Sequence, residues 1–198
     1  MELEHERDIW GDFKKGDWHA YTLLYDTYYK RLNNYGYKFT RDVALIEDAI
    51  QDLFVKLWTN RETLGEPSSV KNYLYKALRH ALFRKIKSQR KFTLAPAENY
   101  DYTFELSWHD HLVVDEDERE LQRIIKEVTG KLPARQQEIV YMRFYEGLSY
   151  EEIAEIMSIN INSVYKLWYK TVDNLKDALR HLLCVLLVYC VSRTGTEG

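Results

Sequence analysis

Ile46, Ala49, Ile50, Leu53, Phe54 and Leu57 recur at intervals of three and four residues, with Glu47, Asp48, Gln51, Asp52 and Val55 between them. That period gathers the apolar side chains on one stripe of an α-helix, whereas a strand would scatter them over both faces. The segment is therefore expected as an amphipathic helix, capped at its start by Asp42, with a mostly acidic outer face. Upstream, Leu24, Tyr25, Tyr28, Tyr29, Leu32 and Tyr35 follow the same period within 17–39, and Gly36 weakens the end of that helix. With 8 Gly and 3 Pro in 198 residues, little interrupts such patterns, and the chain reads as all-α.

Charge is segregated along the chain. Lys71, Lys76, Arg79, Arg84, Lys85, Lys87, Arg90 and Lys91 lie in residues 69–92 without an acid, whereas Glu98, Asp101, Glu105, Asp110, Asp115, Glu116, Asp117, Glu118 and Glu120 are opposed only by Arg119. A formal net charge of −3 excludes a uniform basic field, so any nucleic-acid surface must be local. Helical periodicity disappears between Phe92 and about Val114, and Pro96 interrupts. The expected architecture is two small helical domains, 1–91 and 115–198, joined by a flexible acidic linker, 92–114, the second domain a helix-turn-helix.

Ser69, after the loop "TLGEPSS", can cap the basic helix. Its Val70, Leu74, Ala77, Leu78, Ala81, Leu82 and Ile86 share an inward face, and Asn72, Lys76, Arg79, Phe83, Lys87 and Arg90 follow the opposite one. An aromatic among cations suits unpaired bases, which offer a π-face to stack and phosphates to neutralise; the plainer alternative is a solvated basic face with an incidental Phe83. Farther on, Ser149-Tyr150-Glu151-Glu152 is a capping box, Ser158-Ile159-Asn160 a break, and Asn160 the cap of a second helix through Val164, Trp168, Thr171, Val172 and Leu175. This is helix-turn-helix spacing, with an ordinary helical hairpin as the alternative. The second helix offers Asn162, Ser163, Lys166 and Lys170 to a duplex, and two lysines alone predict weak binding.

Other features point away from chemistry. No Gly-rich phosphate loop or nucleophile motif occurs, and His109-Asp110-His111 lacks further ligands, so neither a catalytic residue nor a metal or cofactor is expected. Cys184 and Cys190, six apart in a probable helix, point to different sides and are not expected to bridge. The apolar run Leu182 to Val191 is half the length of a membrane span and is expected to pack on this protein or a partner, with contact to a membrane surface as the alternative. A soluble, cytoplasmic chain, monomeric when free, is expected.

In chain order, "LLYDTYYKRLNNYGYKF", "EDAIQDLFVKLW" and "VKNYLYKAL" resemble the first conserved domain of bacterial sigma factors of the sigma-70 family. "LPARQQEIVYMRFYEGLSYEEIAEIMSININ" resembles their C-terminal helix-turn-helix domain, and the two-domain order resembles the extracytoplasmic-function group. The resemblance implies a non-enzymatic subunit that binds core RNA polymerase, directs it to promoters and helps open them. It implies polymerase contacts at Asp48, Gln51, Asp52, Val55 and Trp58. Minus-ten contacts are implied at Thr63, Ser68 and Ser69 in a base-capturing loop, and at Asn72, Lys76, Arg79, His80, Phe83, Lys87 and Arg90. Minus-thirty-five contacts are implied at Ser149, Tyr150, Asn162, Ser163, Tyr165, Lys166 and Lys170. An anti-sigma factor is a further implied partner, with the docking helix and the C-terminal apolar run as its surfaces. The chain departs from the family at His80, usually Asn, at Arg84, often Asp, and at Leu167, often basic. Competing readings are a stand-alone helix-turn-helix regulator of duplex operators, which needs no docking helix or capture loop, and a metal-dependent nuclease using Asp48 and Asp52.

Overall fold

The computed structural model describes residues 2–91 and 116–194, with side chains over 6–89 and 123–180. Every regular element among the described residues is helical. They form two compact units, one holding residues 2–91 and 151–160, the other residues 116–150 and 161–194.

The first unit contains α1 (Glu2–Lys14), α2 (Trp18–Gly36), α3 (Val43–Asn60), a 3₁₀ turn (Arg61–Thr63) and α4 (Val70–Lys91). Side-chain caps set the starts. Asp17 accepts from the His19 amide at 2.8 Å, Asp42 from Leu45 at 3.0 Å, and Ser69 Oγ from Asn72 at 3.2 Å, each satisfying an amide that the helix itself leaves open. The whole α3 stripe from Ile46 to Leu57 is buried, as its period predicts. Gly36 does more than end a helix. A Cβ there would lie 2.6 Å from Ile46 Cγ2, so only a glycine lets α2 approach α3 this closely.

The basic helix α4 departs from the expected two-faced pattern. Val70, Leu74, Leu78, Ala81 and Leu82 do turn inward, but Asn72 (2% exposed), Tyr75 and Arg79 (5%) are buried as well. The cause is position: α4 packs on α1, α2 and α3, so its covered surface is wider than one apolar stripe. Tyr75 meets Tyr35 of α2 at 4.9 Å, Phe83 meets Phe39 edge-on at 5.6 Å, and the Arg79 guanidinium sits 4.5 Å above the Phe83 ring. An arginine covering an aromatic face can be buried without looking apolar in sequence.

The second unit contains α5 (Glu116–Gly130), α6 (Ala134–Val140), a π-helical turn (Tyr141–Tyr145) and α8 (Ile161–Thr194), which follows α7 (Tyr150–Met157) in the chain. Its polar interior is paired: Gln137 Nε2 donates to the Leu132 carbonyl at 2.9 Å and Asn174 Nδ2 to Gln136 Oε1 at 2.8 Å. From within the π turn, Arg143 donates to the Leu148 carbonyl at 2.9 Å, and Gly147 between them takes a φ of +67°. The expected break after α7 is a Schellman closure. Ser158 adopts φ 55° and donates to Glu155, and Ile159 donates to Ala154.

The apolar run 182–191 continues α8, but its side chains, including Cys184 and Cys190, lie outside the described residues, as do the 92–114 linker with His109-Asp110-His111 and the Arg90 side chain. No helix among the described residues is long and apolar enough to cross a membrane.

Candidate nucleic-acid and partner interfaces

α3 presents Asp48, Gln51, Asp52 and Val55 to solvent in successive turns, and Val55 is 61% exposed. Trp58, expected beside them, is half-buried. It packs against Tyr21 at 5.1 Å and edge-on against the exposed Trp18 at 5.2 Å, while the Arg61 guanidinium lies 4.7 Å over its ring. Trp18 and Arg61 are not among the residues that the sequence pattern singles out; both belong to this aromatic corner. Local periodicity gives no sign of it, because the corner is assembled from three elements.

A second unpredicted feature ties the acidic row to the basic helix. Lys85 of α4 pairs with Asp48 and, at 2.9 Å, with Asp52, two carboxylates one turn apart on α3. The hydrogen bond from Lys85 and then its charge hold the Asp52 carboxyl below its usual range, and the two carboxylates raise the Lys85 ammonium above its own. Beside this bridge a cleft of about 720 Å³ runs between α3 and α4, with Asp52, Lys56, His80, Arg84 and Lys85 among its walls.

On α4, His80, Arg84 and Lys87 are exposed, and Lys76 and Phe83 are half-buried. His80 Nε2 lies 3.0 Å from Ser158 Oγ, and Asn72 Nδ2 donates to Glu152 Oε1 at 3.3 Å, both contacts within the first unit. Partial burial, and then the positive charges of Arg79, Lys76 and Arg84, push the His80 imidazole below its ordinary value, which favours the neutral ring at neutral pH. Buried Asn72 Oδ1 accepts no hydrogen bond.

In the preceding loop, Thr63 Oγ1 donates to the Asn60 carbonyl at 2.9 Å and Ser69 Oγ caps α4, so both hydroxyls shape the backbone. Ser68 is exposed.

In the second unit, Asn162, Lys166 and Lys170 are exposed on one row of α8, each four residues from the next, and Ser163 is half-buried. Tyr150 lies 5.1 Å from Tyr165 and 6.0 Å from Trp168, and the Arg143 guanidinium is 5.1 Å from its ring. Phe144, 68% exposed, joins the cluster through Trp168 at 5.8 Å. Aromatic bulk thus surrounds a sparse basic row. Helix periodicity assigns no site role to Trp168, Phe144 or Arg143; the only signal for them is the density of rings in "YMRFYEGLSY" and "VYKLWYK". Among the described residues, no group of His, Cys, Asp or Glu is arranged to hold a metal.

The family model for sigma-70 region 2 matches residues 24–92, and that for sigma-70 region 4 matches residues 122–171. The chain is 30% identical over 149 residues to RNA polymerase sigma factor YlaC of Bacillus subtilis, covering 71% of this chain and 81% of that protein. It is 26% identical to the ECF RNA polymerase sigma-E factor of Haemophilus influenzae, covering 86% and 93% of the two chains. Among solved structures, the Bartonella quintana sigma factor RpoE, in complex with the anti-sigma factor NepR, matches with a TM-score of 0.58 at 17% identity, over 80% of this chain and 96% of that one. CnrH, in complex with the cytosolic domain of CnrY, matches with a TM-score of 0.58 at 16% identity, over 89% and 97%. At these identities the structural likeness concerns the fold.

Proposed function

The chain belongs to the extracytoplasmic-function group of the sigma-70 family, and from that premise we infer that it is the dissociable subunit that binds core RNA polymerase, directs it to promoters and assists melting. The observation that carries this reading is one compact unit holding both an exposed acidic row on α3 and a cationic helix, α4, behind a short loop, with a helix-turn-helix later in the chain. A stand-alone operator-binding regulator has no use for the acidic row of α3 or for the cationic α4.

In this reading Asp48, Gln51, Asp52 and Val55 dock on the polymerase, with Trp58 supporting the docking face from its aromatic corner. Thr63, Ser68 and Ser69 form the loop beside the melted minus-ten strand. Lys76, His80, Phe83 and Lys87 follow the strand, and Arg79 holds Phe83 in place. Asn72 and His80 exchange Glu152 and Ser158 for DNA. The minus-thirty-five duplex meets Asn162, Lys166 and Lys170, with Ser149, Tyr150, Ser163 and Tyr165 around them. Two exposed lysines neutralise few phosphates, so duplex affinity depends on the polymerase holding the second unit near DNA. The reading requires no catalytic residue, places the protein in the cytoplasm with the polymerase, and extends to it an anti-sigma partner of the kind bound to the Bartonella quintana protein.

Reconstitution tests the proposal. Core polymerase plus this chain should yield transcripts from defined start sites on genomic DNA; identical transcripts from core alone would overturn it.

A further inference from the structure

Lys85 reaches from α4 to the acidic row of α3. Its ammonium bonds Oδ2 of Asp48 and, at 2.9 Å, Oδ2 of Asp52. The three groups are unequally covered: the Lys85 side chain is 26% exposed, that of Asp52 49% and that of Asp48 62%. The cation therefore lies beneath the carboxylates, in the seam between the two helices, and the carboxylates face outward.

Packing does little to hold the two acids. Open clefts flank them, about 720 Å³ beside Asp52 and about 510 Å³ beside Asp48, and Lys85 lines both. Among the described residues, neither carboxylate has another hydrogen-bond partner. A carboxylate accepts through both oxygens, and Lys85 occupies only one on each. Oδ1 of Asp48 and Oδ1 of Asp52 stay available, one helical turn apart, to cations that approach from outside. An aspartate without a partner samples several rotamers, and ordering it at the moment of binding costs affinity. Lys85 has ordered this pair beforehand, while cancelling part of the row's negative charge.

We propose that Lys85 is a positioning residue for polymerase docking: from beneath, it holds Asp48 and Asp52 in the orientation in which their outer oxygens receive cationic side chains of the core enzyme. The proposal rests on the reading of α3 as the docking helix, and it gives a residue of the strand-holding helix a part in core binding. The opposite arrangement, in which polymerase cations displace Lys85, would require the most covered of the three groups to leave.

The test measures association and dissociation rates of the full chain on immobilised core RNA polymerase. Lys85→Met keeps an aliphatic stem and removes the ammonium. It should raise the dissociation rate about fivefold, the effect of two short side chains left to be ordered on binding, and should not slow association, because the face it leaves is more acidic. Lys85→Arg, whose fork can serve both carboxylates, should stay within about twofold of wild type. In a chain already carrying Asp52→Asn, Lys85→Met should raise the rate only about twofold, since Asp48 alone remains to be ordered; a purely structural role of Lys85 would give the full rise there as well. Where a variant leaves too fast to time, competition with labelled wild-type chain for core supplies the same ratio. A dissociation rate unchanged or slowed by Lys85→Met, no rescue by Lys85→Arg, or an undiminished rise beside Asp52→Asn overturns the assignment, even though the unaltered chain binds core. An unaltered chain that does not bind core sinks the functional reading, and the assignment with it.

Discussion

α4 and α8 are the two helices proposed to meet DNA, and they differ in how they are held. α4 packs on three other helices and buries Asn72, Tyr75 and Arg79 along with its apolar stripe. α8 buries Val164 and Thr171 in the same relative span and leaves Tyr165, Lys166, Tyr169 and Lys170 outward. The contrast matches their proposed targets. An unpaired strand is flexible, so its holder must be rigid and supply both stacking surface and charge; a duplex brings its own shape and asks of a helix only a few outward side chains.

The largest expected effect separates the two helices by their burial. Leu78→Ala empties a fully covered site in α4 and should cost about 2–5 kcal/mol, read by urea unfolding, whereas Val172→Ala on half-buried α8 should cost clearly less. Equal losses would break the comparison. Gly36→Ala should destabilise by about 1–3 kcal/mol, because the added methyl meets Ile46. Combining it with Ile46→Ala should cost less than the sum, since the two changes share one space.

Phe83→Leu keeps apolar bulk but removes the π-face under Arg79. It should weaken strand holding by about 1–3 kcal/mol, seen as reduced permanganate reactivity of promoter thymines, with core binding retained; loss of core binding instead would assign α4 to the polymerase. Lys166→Ala should lower duplex affinity across sequences and reduce the slope of log affinity against log salt by about 0.9. An unchanged slope would remove Lys166 from the phosphate contacts.

The smallest expected effect concerns the bridge between α3 and α4. Its groups are partly exposed, so Lys85→Met should cost at most about 1 kcal/mol. The pH dependence has a defined sign. Asp52 is depressed, so its contribution is full above the ordinary carboxylate range and lost as pH falls through its lowered value. Lys85 is raised, so its contribution is full below the ordinary lysine value and lost as pH rises through the higher one. Wild type and Lys85→Met should therefore differ most near neutrality and converge in acid. A gap that persists in acid would show that packing, not the ion pair, is what Lys85 supplies.

Much of the fold is legible in the order of the residues. The α3 stripe, the caps at Asp42 and Ser69 and the turn at Ser158 depend on residues within five positions of one another, which is the range that helical hydrogen bonds and caps sample. Of the proposed site, the acidic row of α3 and the lysine row of α8 are legible for the same reason. Arg79 is buried although its period places it on an open face, because a charged residue covered by Phe83 leaves no apolar mark in the periodicity. The aromatic cluster around Tyr150 escapes any linear pattern, because rings fifteen to twenty-four positions apart reveal a cluster only once the chain has turned.

What the sequence by itself determined, then, is the all-α class, the start of each capped helix and the segregation of charge, all properties of neighbours in the chain. Tertiary structure alone decided that Gly36 admits Ile46, that Lys85 bridges Asp48 and Asp52, and that Trp10 holds the Gly65 carbonyl across 55 positions. Each of these depends on helices meeting at a particular depth and rotation, and that is set by how buried side chains fill space together, not by the pattern along any one of them.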